Sequence, residues 1–128
     1  MNAVIDASAF THVLTSDDET ARVIIDAMGD NVFVPEHMRS ECANAIRGMF
    51  LGGKITGEQR DELLTEIASY PFTVVDFGMF YEKSIEYYRN LSAYDSAYVA
   101  LAELVDAHLI TLDTGMHKVA AKTMTVIP

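Results

Sequence analysis

The chain has 128 residues, half of them hydrophobic, with a single cysteine, so one ordinary domain can fold around its own core without disulfides or a structural metal. Nineteen Asp and Glu residues against nine Lys and Arg give a formal net charge of −10. This charge has the wrong sign for a protein that binds nucleic acid through an overall basic surface.

Five short apolar runs, rich in β-branched residues, predict strands. They cover about residues 3–6, 32–34, 73–75, 109–112 and 123–127. Because the runs are continuously apolar and do not alternate with polar residues, they are typical of buried parallel strands.

Helical patterns lie between the predicted strands. Four apolar stripes at helical spacing predict four helices. The stripes are Ala21, Ile24, Ile25 and Met28; Met38, Cys42, Ala45, Ile46 and Met49; Leu63, Leu64 and Ile67; and Phe80, Tyr81, Ile85, Tyr87 and Tyr88. The last of these helices is predicted to end near Asn90. Thr56 with Gln59 predicts a capping box, and residues 97–105 predict a buried helix. Strands that alternate with helices predict an α/β fold, a three-layer α/β/α sandwich with a central, mostly parallel five-stranded sheet, in a single domain over residues 1–128.

Targeting and membrane signals are lacking. The first residues carry no basic leader, and no apolar run approaches the roughly 20 residues that a membrane helix needs. Cys42 has no partner for an internal disulfide. We therefore expect a soluble, cytoplasmic protein without a membrane association.

Two acids close predicted strands. Asp6 ends the first strand and Asp113 ends the fourth. Functional residues of parallel α/β sheets gather at the carboxyl ends of strands, so both acids are candidates for one site. The alternative is that each only caps a following helix, because Asp is a favoured N-cap.

Two further acids lie on helix faces that are expected to point inward. Glu41 shares its face with Cys42, and Asp95 lies in the same arc as Val99 and Ala102. A carboxylate on such a face needs a compensating partner or a metal ion. The alternatives are an arginine partner for Glu41, either Arg39 or Arg47, and a dipole-stabilised first-turn position for Asp95 behind a Ser92 cap.

Together, Asp6, Glu41, Asp95 and Asp113 form a set of hard oxygen ligands of the kind that Mg²⁺ or Mn²⁺ selects. Such ions can activate water and stabilise the leaving oxygen in phosphodiester cleavage. The pattern therefore predicts a metal-dependent hydrolase.

Four segments resemble the PIN-domain family, and within it the VapC-type toxins of toxin–antitoxin pairs. They are VIDASA at 4–9, VPEHMRSECANAIR at 34–47, YDSAYVALAE at 94–103 and LITLDTGM at 109–116, in the family's order. The resemblance implies a parallel sheet flanked by helices, a Mg²⁺- or Mn²⁺-dependent ribonuclease acting on RNA, a cognate antitoxin partner and a homodimer.

The resemblance also implies residue roles. It makes Asp6, Glu41, Asp95 and Asp113 the catalytic, metal-binding acids, and it makes Ser8, Thr111 and Asn44 their supporting residues. Candidate phosphate contacts are Arg39, Arg47 and Lys118. An aromatic- and Met-rich helical surface, either core or interface, is the candidate for dimer and antitoxin contacts and comprises Met49, Phe50, Phe80, Tyr81, Tyr87 and Tyr88.

Competing classes fit less well. A phosphoacceptor receiver domain would need paired acids after the first strand, and a haloacid-dehalogenase-like phosphatase would need an acid at Ser8. The histidines show no zinc-ligand spacing beyond His37 and Glu41. The alternative that stays open is a non-catalytic protein-binding module that retains the acidic pocket, which the net charge favours.

Overall fold

A computed structural model describes all 128 residues of the chain. Its strands are β1 (Asn2–Ile5), β2 (Asn31–Pro35), β3 (Thr73–Val75), β4 (His108–Ile110) and β5 (Val126–Ile127). Its helices are α1 (Ala7–Thr15), α2 (Glu19–Met28), α3 (Met38–Leu51), α4 (Gly57–Ser69), α5 (Tyr81–Ile85), α6 (Ala93–Leu104) and α7 (Thr114–Ala120), with a 3₁₀ turn at Phe77–Met79.

The five strands form one sheet in the order β3-β2-β1-β4-β5, and every neighbouring pair is parallel. The chain moves outward from β1 to β3 and then crosses back to place β4 on the other side of β1. The boundary between β1 and β4 is therefore the point where the winding direction changes. A crevice at the carboxyl ends of the strands is expected at this point.

Helices cover both faces of this sheet. Ala3, Val4 and Ile5 alternate between the faces of β1, yet all three are fully buried. Helix α2 packs against β1, β4 and β5, whereas α6 packs against β1, β2 and β4. The predicted α/β sandwich is confirmed, and its sheet is parallel throughout.

Two predicted strands were too long. The fourth ends at Ile110 and the fifth contains only Val126 and Ile127. β4 is short because the chain leaves the sheet after Thr111, whose amide still donates to the carbonyl of Ile127 at 2.9 Å. This early departure turns the Thr111 side chain toward the end of β1.

The helices differ from the prediction in three respects. Helices α1 and α7 were not among the predicted ones. The helix predicted to reach Asn90 is α-helical only to Ile85 and continues as turns with i to i+3 hydrogen bonds. Ile25 and Ala45 are exposed, although both belong to predicted apolar stripes. The capping box of Thr56 and Gln59 is confirmed.

No helix of the structure combines the length and the apolar composition that crossing a membrane requires.

Candidate metal centre

Asp6 is the most enclosed acid of the chain, with 3% of its surface exposed. It follows β1 directly and is the N-cap of α1, since its Oδ1 accepts a hydrogen bond from the Ala9 amide at 3.0 Å. Oδ1 also accepts from the Ser8 hydroxyl at 2.7 Å, and Oδ2 accepts from the Thr111 hydroxyl at 2.5 Å. The N-cap interpretation is thus correct, but it accounts for only one of three contacts.

Burial dominates the electrostatics of Asp6. It raises the pKa of the carboxyl group, the three hydrogen bonds oppose that rise, and the charge of Asp113 adds to it. No Lys or Arg lies within ion-pair distance of Asp6. The buried carboxylate is therefore held by dipoles and lacks a compensating cation within the protein.

Ser8 and Thr111 brace Asp6 against the loop that follows β4. The Ser8 hydroxyl accepts from the Leu112 amide at 3.1 Å, and the Thr111 hydroxyl accepts from the Asp113 amide at 3.0 Å. Each hydroxyl thus donates to Asp6 while it fixes the backbone beside the next acid. These contacts support the bracing role predicted for both residues.

Asp113 and Asp95 lie at the N-terminal ends of two helices. Asp113 is exposed and is the N-cap of α7, because its Oδ1 accepts from the Met116 amide at 2.9 Å. Asp95 lies in the first turn of α6, where the Ser92 hydroxyl accepts from its amide at 3.1 Å. Both capping interpretations therefore describe the local geometry correctly.

The charges of the acids nevertheless interact. Burial raises the pKa of the Asp95 carboxyl group, and the charges of Asp113 and Glu41 raise it further. Asp113 also raises the pKa of Asp6. Like charges are therefore held together at the carboxyl ends of β1 and β4, as expected for a site at the change in winding direction.

Glu41 is half-buried on α3, and its partners are neither Arg39 nor Arg47. The Tyr98 hydroxyl donates a short hydrogen bond to Glu41 Oε1, and the His37 Nε2 lies 3.5 Å from the same oxygen. The alternative of an arginine partner for Glu41 is therefore wrong, since Arg39 binds backbone carbonyls and Arg47 is exposed without an ion pair.

Arg39 holds the end of α4. Its guanidinium donates to the carbonyl oxygens of Ile67 at 2.9 Å and Tyr70 at 2.6 Å, and it lies over the Phe72 ring at 5.2 Å. These contacts occupy the planar fork that would bind a phosphate. Arg39 is therefore a packing residue in this structure.

The other predicted contacts are solvent-facing. Arg47 and Lys118 are exposed and form no ion pair. Asn44 is exposed on α3 and makes no hydrogen bond to any of the four acids. Their roles toward substrate or ligand stay predictions.

Tyr98 was not among the predicted site residues. Two features of the sequence point to it in retrospect: it stands three residues after Asp95, and residues 97–105 around it are apolar except for Glu103. A buried tyrosine usually needs a partner for its hydroxyl, and here that partner is Glu41.

The donor set fits a hard divalent cation. Every donor among the four acids is a carboxylate oxygen, and the most buried of them, Asp6, lacks a cation from the protein. In their present orientations, however, no three carboxylate, imidazole or thiolate groups lie close enough to hold one ion. The charge of Asp113 raises the pKa values of Asp6 and Asp95, but the side chains do not form a complete set of ligands in these orientations.

Comparison with known proteins gives a consistent result. The model of the PIN domain family matches residues 3–122. Ribonuclease VapC9 of Mycobacterium tuberculosis is 35% identical over 130 residues, covering 98% of either chain. Among solved structures, FitAcB from Neisseria gonorrhoeae superposes with a TM-score of 0.71 at 16% identity, covering 98% of this chain and 96% of the other. A toxin-antitoxin complex from Klebsiella pneumoniae gives 0.63 at 17% identity, covering 98% and 96%.

Proposed function

The chain belongs to the PIN-domain family, and on this basis we propose that it is a metal-dependent endoribonuclease, the toxin of a toxin–antitoxin pair. Residues 1–128 would form a single cytoplasmic domain. The observation that carries the proposal is the enclosure of Asp6, an uncompensated buried acid, beside the charges of Asp113, Asp95 and Glu41.

We propose that these four carboxylates hold Mg²⁺ or Mn²⁺. Such an ion would generate hydroxide from water at neutral pH and stabilise charge on the cleaved phosphodiester. Asp6 supplies the most desolvated negative charge. Its orientation is fixed because Ser8 donates to Oδ1 and Thr111 donates to Oδ2. Asp113 and Asp95 add charge from the first turns of α7 and α6, which keeps their carboxylates near the crevice.

RNA must then be held against the negative net charge of the protein. We propose Arg47 and Lys118 as phosphate contacts, since both are exposed and neither is neutralised by an acid of the chain. Arg39 is left out of this role because its guanidinium binds two backbone carbonyls. With so few basic contacts, the affinity for bulk RNA should be low.

RNA cleavage tests this function. Purified protein is incubated with structured and unstructured RNAs in Mg²⁺, in Mn²⁺ and in chelator. We expect cleavage only with a divalent ion, and products with a 5′-phosphate, because water attacks and the 3′-oxygen leaves. Cleavage unchanged by chelator, or a 2′,3′-cyclic phosphate, would contradict the mechanism. A protein that binds its neighbour-encoded partner yet never cleaves RNA would favour the non-catalytic alternative.

Relatives in toxin-antitoxin complexes support an antitoxin partner for this chain. We also propose a homodimer, which would use an exposed apolar surface formed by Phe77, Met79, Tyr81, Ile85, Tyr88 and Leu104. Tyr81 and Tyr88 belonged to the predicted interface, whereas Phe80 is buried and Met49, Phe50 and Tyr87 are partly buried. The rings of Phe77 and Tyr81 have centroids 6.3 Å apart, and Met79, Tyr81 and Leu104 line one cavity. Exposed apolar side chains that cluster in this way are typical of an association surface.

Light scattering tests the dimer. We expect a dimeric mass at micromolar concentrations and a monomeric mass for Met79→Lys, because a charge would be buried in the interface. Val23→Lys replaces an exposed apolar residue on α2 and should stay dimeric. A monomeric wild type would contradict the dimer.

A further inference from the structure

Tyr98 is the largest fully buried side chain in the structure, with 1% of its surface exposed. It lies one turn after Asp95 on α6, and its ring contacts His37 edge-on with centroids 5.2 Å apart. Its hydroxyl donates to Glu41 Oε1 on α3.

The two contacts of Glu41 fall on one oxygen. Tyr98 donates to Oε1 and His37 lies nearest to the same oxygen, whereas Oε2 has no hydrogen bond with the protein. The His37 ring is itself fixed, since its Nε2 lies 3.0 Å from the Tyr94 carbonyl oxygen. Glu41 therefore has one oxygen that accepts a hydrogen bond from a buried tyrosine and one oxygen without a hydrogen bond from the protein.

A glutamate on a half-exposed helix face has several side-chain torsions to restrict before it can act as a ligand. The hydrogen bond from a buried phenol removes much of that freedom in advance. It also ties α3, which carries Glu41, to α6, which carries Asp95. Two of the four acids are thereby fixed relative to each other.

We propose that Tyr98 is a positioning residue that holds Glu41 Oε1 and leaves Oε2 as the oxygen that binds the divalent ion. The proposal rests on the metal-dependent function above and adds a residue outside the four acids. Partners that orient a metal ligand change metal affinity by about 10- to 100-fold when they are removed.

Tyr98→Phe tests the role, because it removes the hydroxyl and keeps the ring. We expect calorimetric titration with Mn²⁺ to show at least about tenfold weaker binding than in the wild type. Cleavage of RNA should fall at low Mn²⁺ and recover at high Mn²⁺, because the loss lies in ion affinity. The control is Tyr87→Phe, since Tyr87 also donates a hydrogen bond to a glutamate, Glu103, which is not one of the four acids. Its Mn²⁺ affinity should match the wild type.

A double-mutant cycle separates positioning from general packing. In a Glu41→Gln background, Tyr98→Phe should weaken Mn²⁺ binding no further, because its effect passes through the Glu41 carboxylate. Equal or tighter Mn²⁺ binding by Tyr98→Phe in an otherwise wild-type protein would overturn the role while leaving the metal site intact. A wild type that binds no Mn²⁺ would overturn both.

Discussion

We expect Asp6→Asn to reduce RNA cleavage to the level seen in chelator. The loss should exceed the roughly 10- to 100-fold that removal of an outer partner costs, because the substitution removes a ligand charge. Asp6 is the acid most shielded from water, so its charge interacts most strongly with a bound cation. Initial rates at saturating Mn²⁺ measure the effect.

The same substitution should leave the metal-free fold as stable as before, or more stable. Asn caps helices nearly as well as Asp, so the contact with the Ala9 amide survives. Weakening the hydrogen bond from Thr111 costs about 1 kcal/mol, and removing a desolvated charge beside Asp113 offsets that cost.

Asp18→Asn is the matched control. Asp18 is also an N-cap aspartate, whose Oδ1 accepts from the Ala21 amide at 2.8 Å, but it lies at the start of α2 and apart from the four acids. It should retain full activity. Retention of full activity by Asp6→Asn as well would reduce Asp6 to a helix cap.

Divalent metal should stabilise the wild type strongly. Binding to the native state alone adds about 2.7 kcal/mol when free metal is roughly a hundred times its dissociation constant. Urea unfolding in chelator and in Mn²⁺ measures this difference, and Asp6→Asn should show little of it. An equal metal effect in both proteins would place the ion elsewhere.

The free energy of unfolding should also depend on pH through two acids of the site. Asp6 and Asp95 have raised pKa values, so the folded protein binds their protons more tightly than the unfolded chain does. Their contribution to stability is full below the ordinary value of 3.8 and is lost as the pH rises through the raised pKa values. In chelator, the wild type should therefore lose more stability than Asp6→Asn as the pH rises from 3.8 through the raised pKa of Asp6. Saturating Mn²⁺ should remove that difference.

The sheet and the positions of the acids could be predicted because both depend on local patterns. A continuously apolar run identifies a buried strand, and Asp6 and Asp113 are found by reading the residue where such a run ends. Because β1 and β4 are neighbours in the sheet, the acids that follow these two strands lie at the same edge.

Helices α1 and α7 escaped prediction for reasons of composition. Residues 7–15 (ASAFTHVLT) mix β-branched and aromatic residues, which are mediocre helix formers, and residues 114–120 form less than two full turns. Both helices depend on their aspartate caps and on packing. Ile25 belongs to a predicted apolar stripe, yet it is exposed. Helical spacing shows which residues share a face of the helix, but it does not show how much of that face the neighbouring elements cover.

The partners of Glu41 and Arg39 lay beyond the reach of sequence patterns. Tyr98 stands 57 residues from Glu41, and the carbonyls that hold Arg39 are 28 and 31 residues away. Opposite charges made a pair of Glu41 and Arg39 one alternative, but the Arg39 guanidinium donates to backbone carbonyls at the end of α4. These carbonyls come within reach because α3 packs against α4.

The most direct test of the metal site is calorimetric titration of Mn²⁺ into the wild type and into Asp6→Asn, Glu41→Gln, Asp95→Asn and Asp113→Asn. If the four carboxylates form one site, the wild type binds Mn²⁺ in chelator-free buffer and each substitution weakens that binding, most severely at Asp6. Asp18→Asn should bind as the wild type does. Binding that none of the four substitutions changes, or a wild type that binds no Mn²⁺, would contradict the site.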